Sequence, residues 1–491
     1  MYNHLLLTIG RSFLHQLKGA LFLERPIVRV TSGASWLPCL FLAFGIHLAQ
    51  GAEAAEPAAS INHEKAIVPF EIFYQDALNA REEDYLGRKE YLVKDSTAFR
   101  EMKNHLLALY EGINIRISYW DDNHIVDCVP IDQQPGLKAP GMEHHVLQRT
   151  PPMLPTRTPR VKNRSAGNEV DQLSGEQVRE AATEVREESS GSPKVCPEGF
   201  VPMRRLELED IARYQSLSAF LAKDHRDPPD LRDPIHRYAF GYQFVKNIGG
   251  GADLNIWSPN EKPGELSLSQ IGVGFDDGYR VWQTAEAGWM VDQRFYGTPK
   301  AVFFIYWTTS NYANGCYNLT CTAFMQIDRQ LIPGHSFPLS SVLGGTQQTI
   351  GLEWYRDPKT GNWWLYVRNV NDRTATAIGY YPRELYRGGE MFKDSNFLEF
   401  GGEVVAAVGQ LKTGEMGSGI PPGNGPNVTA YQDYVHMFQS KGSITNWLPV
   451  TLTPTTPDPS CYRIQFVNTN QPSFSYFYFG GKGCPITNHP G

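Results

Sequence analysis

From His236 onward the chain is a succession of short β-forming, aromatic runs broken by turn residues. Examples are "GADLNIWSP", "ELSLSQIGVGF", "YRVWQTAEAGWMV", "AVFFIYWTT", "NFLEFGGEVVAAV" and "FSYFYFGG". Aromatic strands joined by Gly and Pro turns suit an all-β protein better than a helical one, and this spacing predicts an antiparallel sandwich or barrel. "LEWYRDPKTGNWWLYV" reads as a hairpin turning at Lys359-Thr360-Gly361. No internal repeat is visible, and 236–491 is within range for one large β domain.

The region before it has a different texture. Residues 62–148 mix polar, helix-like sequence with one strand-like piece, "INIRISYWDDNHIVDCVPI". Residues 149–194 are rich in charge, Pro and Ser and poor in aromatics, and read as a disordered linker, with a long surface loop as the plainer alternative. Residues 195–235 lead into the β domain. Segment 1–54 reads as a targeting signal: an apolar core, Trp36–Ala49, follows Arg11, Lys18, Arg25 and Arg29 and precedes small residues. That core is too short and too interrupted for a confident membrane span. A polar module, a linker and a larger aromatic domain have the layout of a secreted zymogen; the bland version is two domains.

Apart from Cys39 inside the apolar run, six cysteines remain, an even number that fits disulfides in an oxidising compartment, free buried thiols being the alternative. "CYNLTC" can close a tight loop, and Cys461 with Cys484 can staple the C-terminal strands. Acceptor sequons stand at Asn163, Asn318 and Asn427. The net charge of -7 leaves no basic footprint for nucleic acid. No CxxC pair or His/Cys cluster suggests zinc and no P-loop is present, so neither a metal nor an organic cofactor is expected.

Hydrolase signatures built on serine or histidine fail. "GEMGSGIP" lacks the G-x-S-x-G spacing around Ser418, and His236, His335, His436 and His489 stand in no triad-like motif. Carboxylates remain. Glu286 in "TAEAGWMVDQ" and Glu403 in "LEFGGEVV" are isolated, each near glycine, in apolar strand-like sequence. Two close carboxylates cannot easily both ionise; the pair then holds a shared proton and can both activate water and protonate a leaving nitrogen, best at acid pH. Flanking glycines would let a substrate strand approach closely. For any one strand glutamate, an exposed polar position is the plainer reading.

Several collinear segments resemble the neprosin family of plant-type secreted glutamic peptidases that cleave at proline. "HIVDCVPIDQQPGLKAP" and "CPEGFVPMRR" resemble the activation peptide; "LSLSQIGV", "EAGWMV", "FIYWTTSNYANGCYNLTC", "NWWLYV", "EFGGEVV", "EMGSGIPP" and "YFYFGGKGCP" resemble the peptidase domain. The resemblance implies a two-sheet antiparallel β-sandwich after a small α+β propeptide module. It implies catalytic glutamates at Glu286 and Glu403, and disulfides Cys316–Cys321 and Cys461–Cys484; Cys128–Cys196 is then inferred as a third pair, within the pro-region. It implies proline-containing peptide substrates, inhibition by the chain's own propeptide, an activation boundary between about Arg205 and His236, and export to the cell exterior, vacuole or wall. Gln270 and Tyr312 are expected as hydrogen-bonding supports. Trp289 and Tyr306 can line a pocket for a proline ring, with sandwich core as the alternative for each. Gly272 in "LSQIGVGF" departs from the aromatic expected there. Two competing readings stay open: a β-sandwich glycoside hydrolase with two glutamates, and a catalytically silent secreted binding protein.

Overall fold

In the computed structural model the sequence alternation resolves into antiparallel sheets. The structure describes residues 66–155, 195–225, 236–278, 281–371, 374–406, 410, 412–441, 444–467 and 475–486. The targeting segment 1–54, most of the linker, Asn163 and residues 226–235 lie outside them. Residues 67–491 form one compact unit, and no helix of the described residues is long and apolar enough to cross a membrane.

The N-terminal module is α+β. Helix α1 (Phe70–Asn79) packs on α2 (Ser96–Tyr110). Asp95 caps α2 by accepting from the Ala98 amide at 2.8 Å, and the buried positions Phe99, Met102, Leu106, Leu109 and Tyr110 recur at helical spacing. Strands β1 (Ser118–Asp121), β2 (His124–Pro130) and β3 (Phe200–Arg204) make a small antiparallel sheet. Cys128–Cys196 is a disulfide that ties β2 to the chain entering β3. Arg205 grips Asp127 with two bonds, Nη2–Oδ1 at 2.6 Å and Nε–Oδ2 at 2.9 Å, and both side chains are buried. Short helices α3 (Leu208–Ala212) and α4 (Leu217–Leu221) then carry the chain to Lys223.

The remaining strands are β4 (His236–Asn247), β5 (Gly249–Asn255), β6 (Leu266–Asp276), β7 (Trp282–Val291), then after α5 (Gln293–Tyr296) β8 (Val302–Thr308), β9 (Cys316–Tyr317) and β10 (Met325–Gln326). They continue with β11 (Thr349–Arg356), β12 (Trp363–Arg368), β13 (Ala375–Tyr381), β14 (Ser395–Val405), β15 (Tyr431–Lys441), β16 (Ile444–Pro449), β17 (Thr453–Thr455), β18 (Arg463–Phe466) and β19 (Ser475–Gly480). The front sheet has the order β17-β4-β14-β6-β7-β8-β9; the back sheet has β10-β13-β12-β11-β5-β15-β19-β18, with β16 added to β15. The β11–β12 hairpin turns as expected, with Gly361 at φ 82 closing the loop on the Asp357 carbonyl at 2.8 Å. Disulfides Cys316–Cys321 and Cys461–Cys484 are both formed.

One face of each sheet makes the sandwich core. Ile271, Ala287, Trp289 and Phe400 from the front meet Leu254, Leu352, Trp354 and Leu365 from the back. The N-terminal module covers the two outer faces. Its helices and the 200–220 segment pack with Leu266, Leu268, Phe304 and Tyr306 on the front, and Leu137, Leu147 and Leu154 pack with Tyr355, Trp364, Tyr366 and Tyr380 on the back. Residues 149–155, the start of the expected disordered linker, therefore lie along the back sheet: Leu154 packs on an aromatic surface that composition alone did not reveal.

Removing Asp127 would leave the Arg205 guanidinium buried without its partner, which costs about 3–5 kcal/mol. Asp127→Ala is expected to speed amide exchange in β1–β3 by roughly a hundredfold or more while sparing the sandwich, as read by hydrogen-exchange mass spectrometry.

Candidate active site

Strand β6 lies between β7 and β14, and the register fixes the site. Gly272 stands opposite Glu286 on one side and Glu399 on the other; Leu268 stands opposite Glu403. Gln270 comes between them on β6. Side chains alternate along a strand, so Ile271, Ala285, Ala287, Phe400 and Val404 enter the core. Glu286, Gln270, Glu399 and Glu403 share the outer face of the front sheet, and all four are buried.

They are buried because a pro-region residue sits on them. The Lys223 Nζ lies 2.6 Å from Glu286 Oε2 and 3.3 Å from Glu403 Oε2, and 3.5 Å from Gln270 Oε1. The Tyr317 hydroxyl donates to the Lys223 carbonyl at 2.8 Å, fixing the backbone that delivers the ammonium. Glu286 Oε1 accepts from the hydroxyls of Tyr312 and Thr284, each at 2.8 Å. Glu403 Oε1 is 2.9 Å from His236 Nδ1, whose other nitrogen is 3.5 Å from Asp224 of the pro-region. Gln270 donates through Nε2 to Glu399 Oε1 at 2.8 Å.

The charges explain one another. Burial would strip Lys223 of its proton, but Glu286, Glu403 and Glu399 outweigh it and hold the ammonium well above the usual lysine range. Burial likewise pushes Glu403 up, and Lys223 with His236 more than offsets that, so Glu403 stays below the ordinary carboxylate value. Glu399 lacks such contacts: burial, then Glu286 and Glu403, push it up to about 8 despite Lys223 and Gln270. His236 is disfavoured as a cation by burial but raised by Asp224 and Glu403.

The geometry thus brings together Glu286, Glu403, Gln270 and Tyr312. Tyr306 stands opposite Glu286 on β8, its ring centroid 4.7 Å from that of Tyr317 and tilted by 59°. Trp289 does not reach the site. It lies an odd number of residues from Glu286, so it faces the sandwich core, where its Nε1 donates to the Asn255 carbonyl at 2.9 Å. Trp282, at even spacing on the same strand, is the half-buried tryptophan of β7 whose Nε1 donates to the Tyr312 hydroxyl at 3.3 Å. The glycine beside Glu403 also has another role than expected: a Cβ on Gly402 would meet the Phe479 ring at 2.5 Å between the sheets. Gly272 lacks an aromatic because the Glu399 side chain fills that space, with Cγ 2.7 Å from where a Cβ would sit. Asn318 is unsuited to carry a glycan here: its amide is buried and donates to the Tyr296 hydroxyl at 2.9 Å. Asn427 is half-buried, with φ 67.

Glu399, His236 and Lys223 were not singled out by sequence. Glu399 lies four residues before Glu403 in the same stretch, so period-2 counting places both on one face. Lys223 in "FLAKDH" is a lone cation after an apolar run, a weaker signal. Among the described residues, Asp458, Cys461 and Cys484 bring metal-ligand types within reach of one another, but the two sulfurs are joined and offer no thiolate.

Comparison with known proteins agrees with this layout. The neprosin family model matches residues 263–482, and the neprosin activation-peptide model matches residues 120–242. The chain belongs to the neprosin family and carries its activation peptide. Among solved structures, Scytalido-glutamic peptidase with a peptide-based transition-state analogue is similar at 7% identity and a TM-score of 0.23, over 49% of this chain and 96% of that one. SCP-B, a member of the eqolisin family of peptidases, in complex with the tripeptide Ala-Ile-His, is similar at 7% identity and a TM-score of 0.23, over 50% of this chain and 97% of that one.

Three pro-region histidines rest on the peptidase domain. His105 Nε2 is 2.7 Å from the Thr320 carbonyl, His124 Nε2 2.6 Å from the Tyr296 carbonyl, and His145 Nε2 2.9 Å from the Tyr380 hydroxyl. Burial lowers all three; for His124, Arg204 adds to burial and Asp210 and Asp122 oppose it, leaving it at about 4. A group lowered in the closed form holds fewer protons there than when free, so its contribution to closure is lost as pH falls from the ordinary histidine value towards its lowered one. Glu403 acts in the same sense below the ordinary carboxylate value. His236 is raised, so its contribution is already complete below the ordinary histidine value and does not counter this trend. Exchange of amides in 200–225, corrected for intrinsic rates, is expected to rise as pH falls from about 6.5 to 4. His105→Gln with His124→Gln should flatten that rise; an unchanged slope would count against these rings as the acid trigger.

Proposed function

We propose that this chain is the latent form of a secreted, acid-active glutamic endopeptidase that cleaves peptide bonds next to proline. The observation that carries the reading is the single pro-region ammonium bonded to both Glu286 and Glu403. A cation in that place blocks the position a water and a scissile carbonyl would need. It also supplies a counter-charge to both glutamates, whereas the chemistry requires one proton between them.

Once Lys223 leaves, Glu286 and Glu403 lose the cation they share, and two close carboxylates cannot easily both ionise. One glutamate, as carboxylate, takes a proton from water while the water oxygen bonds to the carbonyl carbon. The other, as acid, gives its proton to the carbonyl oxygen. The gem-diol collapses as the C–N bond breaks, a proton passes to the leaving nitrogen, and the pair ends with one proton, as it began. Tyr312 and Thr284 hold Glu286 by Oε1 and leave Oε2 facing outward, where Lys223 now lies. Gln270 stands between the two glutamates as a positioning residue.

Two features favour peptide over glycan. Polypeptide already crosses this face: Ala222 is extended (φ -63, ψ 148) and the following carbonyl is held by Tyr317. Beyond Glu399 the outer face continues as Tyr242, Phe244, Phe397 and Trp282, whose rings lie 4.7–6.2 Å apart in neighbouring pairs. Phe244 is 41% exposed. Flat rings beside the glutamates suit proline side chains, and they take the place expected for Trp289.

The test brings the full chain to roughly pH 3–5, where a carboxylate pair holds its proton, adds a proline-rich peptide and reads products by mass spectrometry. Cuts beside proline are expected in the parent, and Glu286→Gln or Glu403→Gln should lower the rate at least about a thousandfold without unfolding the sandwich. Retained cleavage in either variant would sink the glutamate pair. Lys223→Met should begin processing at higher pH than the parent, because it leaves the carboxylates buried without a counter-ion; a later onset would argue against the lysine as the lock.

A further inference from the structure

On the back sheet, far around the sandwich from the glutamates, the pro-region lays residues 146–155 ("VLQRTPPMLP") across the outer face. The contacts are more discriminating than an anchor requires. Gln148 enters a pocket made by the β11–β12 turn and β12. Its carbonyl oxygen accepts from Thr360 Oγ1 at 2.8 Å, Asn362 Nδ2 at 2.9 Å and Trp364 Nε1 at 3.2 Å. Its Nε2 donates to Asp357 Oδ2 at 2.7 Å and to the Thr150 carbonyl at 3.1 Å. The Gln148 backbone amide donates to the Tyr380 hydroxyl at 2.8 Å. Four residues on, the Pro152 carbonyl accepts from the Tyr366 hydroxyl at 2.6 Å. Asp357, Asn362, Trp364, Tyr366 and Tyr380 are buried beneath the segment.

This donor and acceptor pattern fits a primary amide. Three donors meet the carbonyl end and one carboxylate meets the amino end, so a glutamate in place of the glutamine would set a second carboxylate against Asp357. The chain that follows carries Pro151, Pro152 and Pro155, with Leu154 packed among Tyr355, Trp364, Tyr366 and Tyr380, and aromatic grooves accept proline-rich peptides of this kind. Met153 and Val146 point outward, 91% and 84% exposed. The segment is bound along one edge only, as a ligand is.

We propose that the back sheet carries a second peptide-binding site, selective for extended segments of the type Gln-Xaa-Xaa-Xaa-Pro, filled in cis by residues 146–155 and opened when they leave. The site stands on its own geometry. Its use rests on the peptidase reading: it would hold long glutamine- and proline-containing chains while the opposite face cuts them, lowering KM for long substrates and not for short ones.

The experiment measures binding, so its outcome does not depend on hydrolysis. Full-length Gln148→Glu chain is titrated into a labelled synthetic peptide of residues 146–155 and followed by fluorescence anisotropy, with hydrogen exchange reporting whether the chain's own segment has lifted. The variant is expected to bind the peptide saturably while the parent chain, its site filled, does not. A peptide with the Gln148→Glu change should bind the variant at least tenfold more weakly. Adding Asp357→Asn to the variant should abolish uptake and return the chain's own segment to the sheet, because an asparagine amide donates where the aspartate accepts and so accommodates the new carboxylate. Equal binding of the two peptides, no uptake by a variant whose segment has lifted, or a segment that stays down despite Gln148→Glu would each overturn the proposal.

Discussion

The ammonium of Lys223 is what allows the front sheet to exist in this form. Three glutamates on one buried face repel one another and lose their hydration, a combination that is unfavourable by several kcal/mol unless a cation answers it. Lys223 answers two of them directly, and the third, Glu399, is pushed up to about 8 and stays largely protonated at neutral pH. The arrangement is stable only while the pro-region is seated. Everything that seats it serves that one charge: the Tyr317 hydroxyl on the Lys223 carbonyl, Asp224 on His236, and the helices packed over Leu268 and Tyr306.

The pro-region holds on at both outer faces, and the two ends work by different physics. At the front the contact is ionic and buried, so it responds to protons. At the back it is an uncharged glutamine amide held in a pocket that includes the Asp357 carboxylate, with aromatic packing beside it. On the proposed reading acid would act chiefly on the plug over the glutamates, where one ammonium is shared between two carboxylates. His145 is the exception: it sits at the back against Tyr380 and 3.4 Å from Glu384, and burial lowers it.

Much of this fold was legible because strands announce their faces. Counting by two from Glu286 put Ala285, Ala287 and Trp289 on the opposite side, and the same count from Glu403 reaches Glu399. Trp289 can be read from sequence as a flat wall for a proline ring or as sandwich core; parity selects the core and puts Trp282 on the outer face instead. Gly272 shows the limit of reading one strand alone. Its missing side chain makes room for Glu399 on the neighbouring strand, and cross-strand pairing over more than a hundred residues is not written in local sequence. Lys223 was hidden for the same reason. A lysine after "SAFLA" has no visible partner until the front sheet is assembled, and its meaning comes entirely from charges far along the chain.

The same reasoning accounts for why latency and the proposed chemistry would occupy one constellation. A pair of carboxylates useful for hydrolysis must be close, shielded and short of counter-charge, since those conditions raise the affinity for the shared proton. A protein that folds with such a pair uncompensated loses stability during folding, before any substrate is present. Supplying a temporary cation from the pro-region satisfies the pair through folding and leaves the frustration to appear only on activation. Neutral blocking groups would cover the site equally well, but they would leave the carboxylates to share a proton from the outset. In the proposed mechanism the ammonium would compete with that shared proton as well as cover the site.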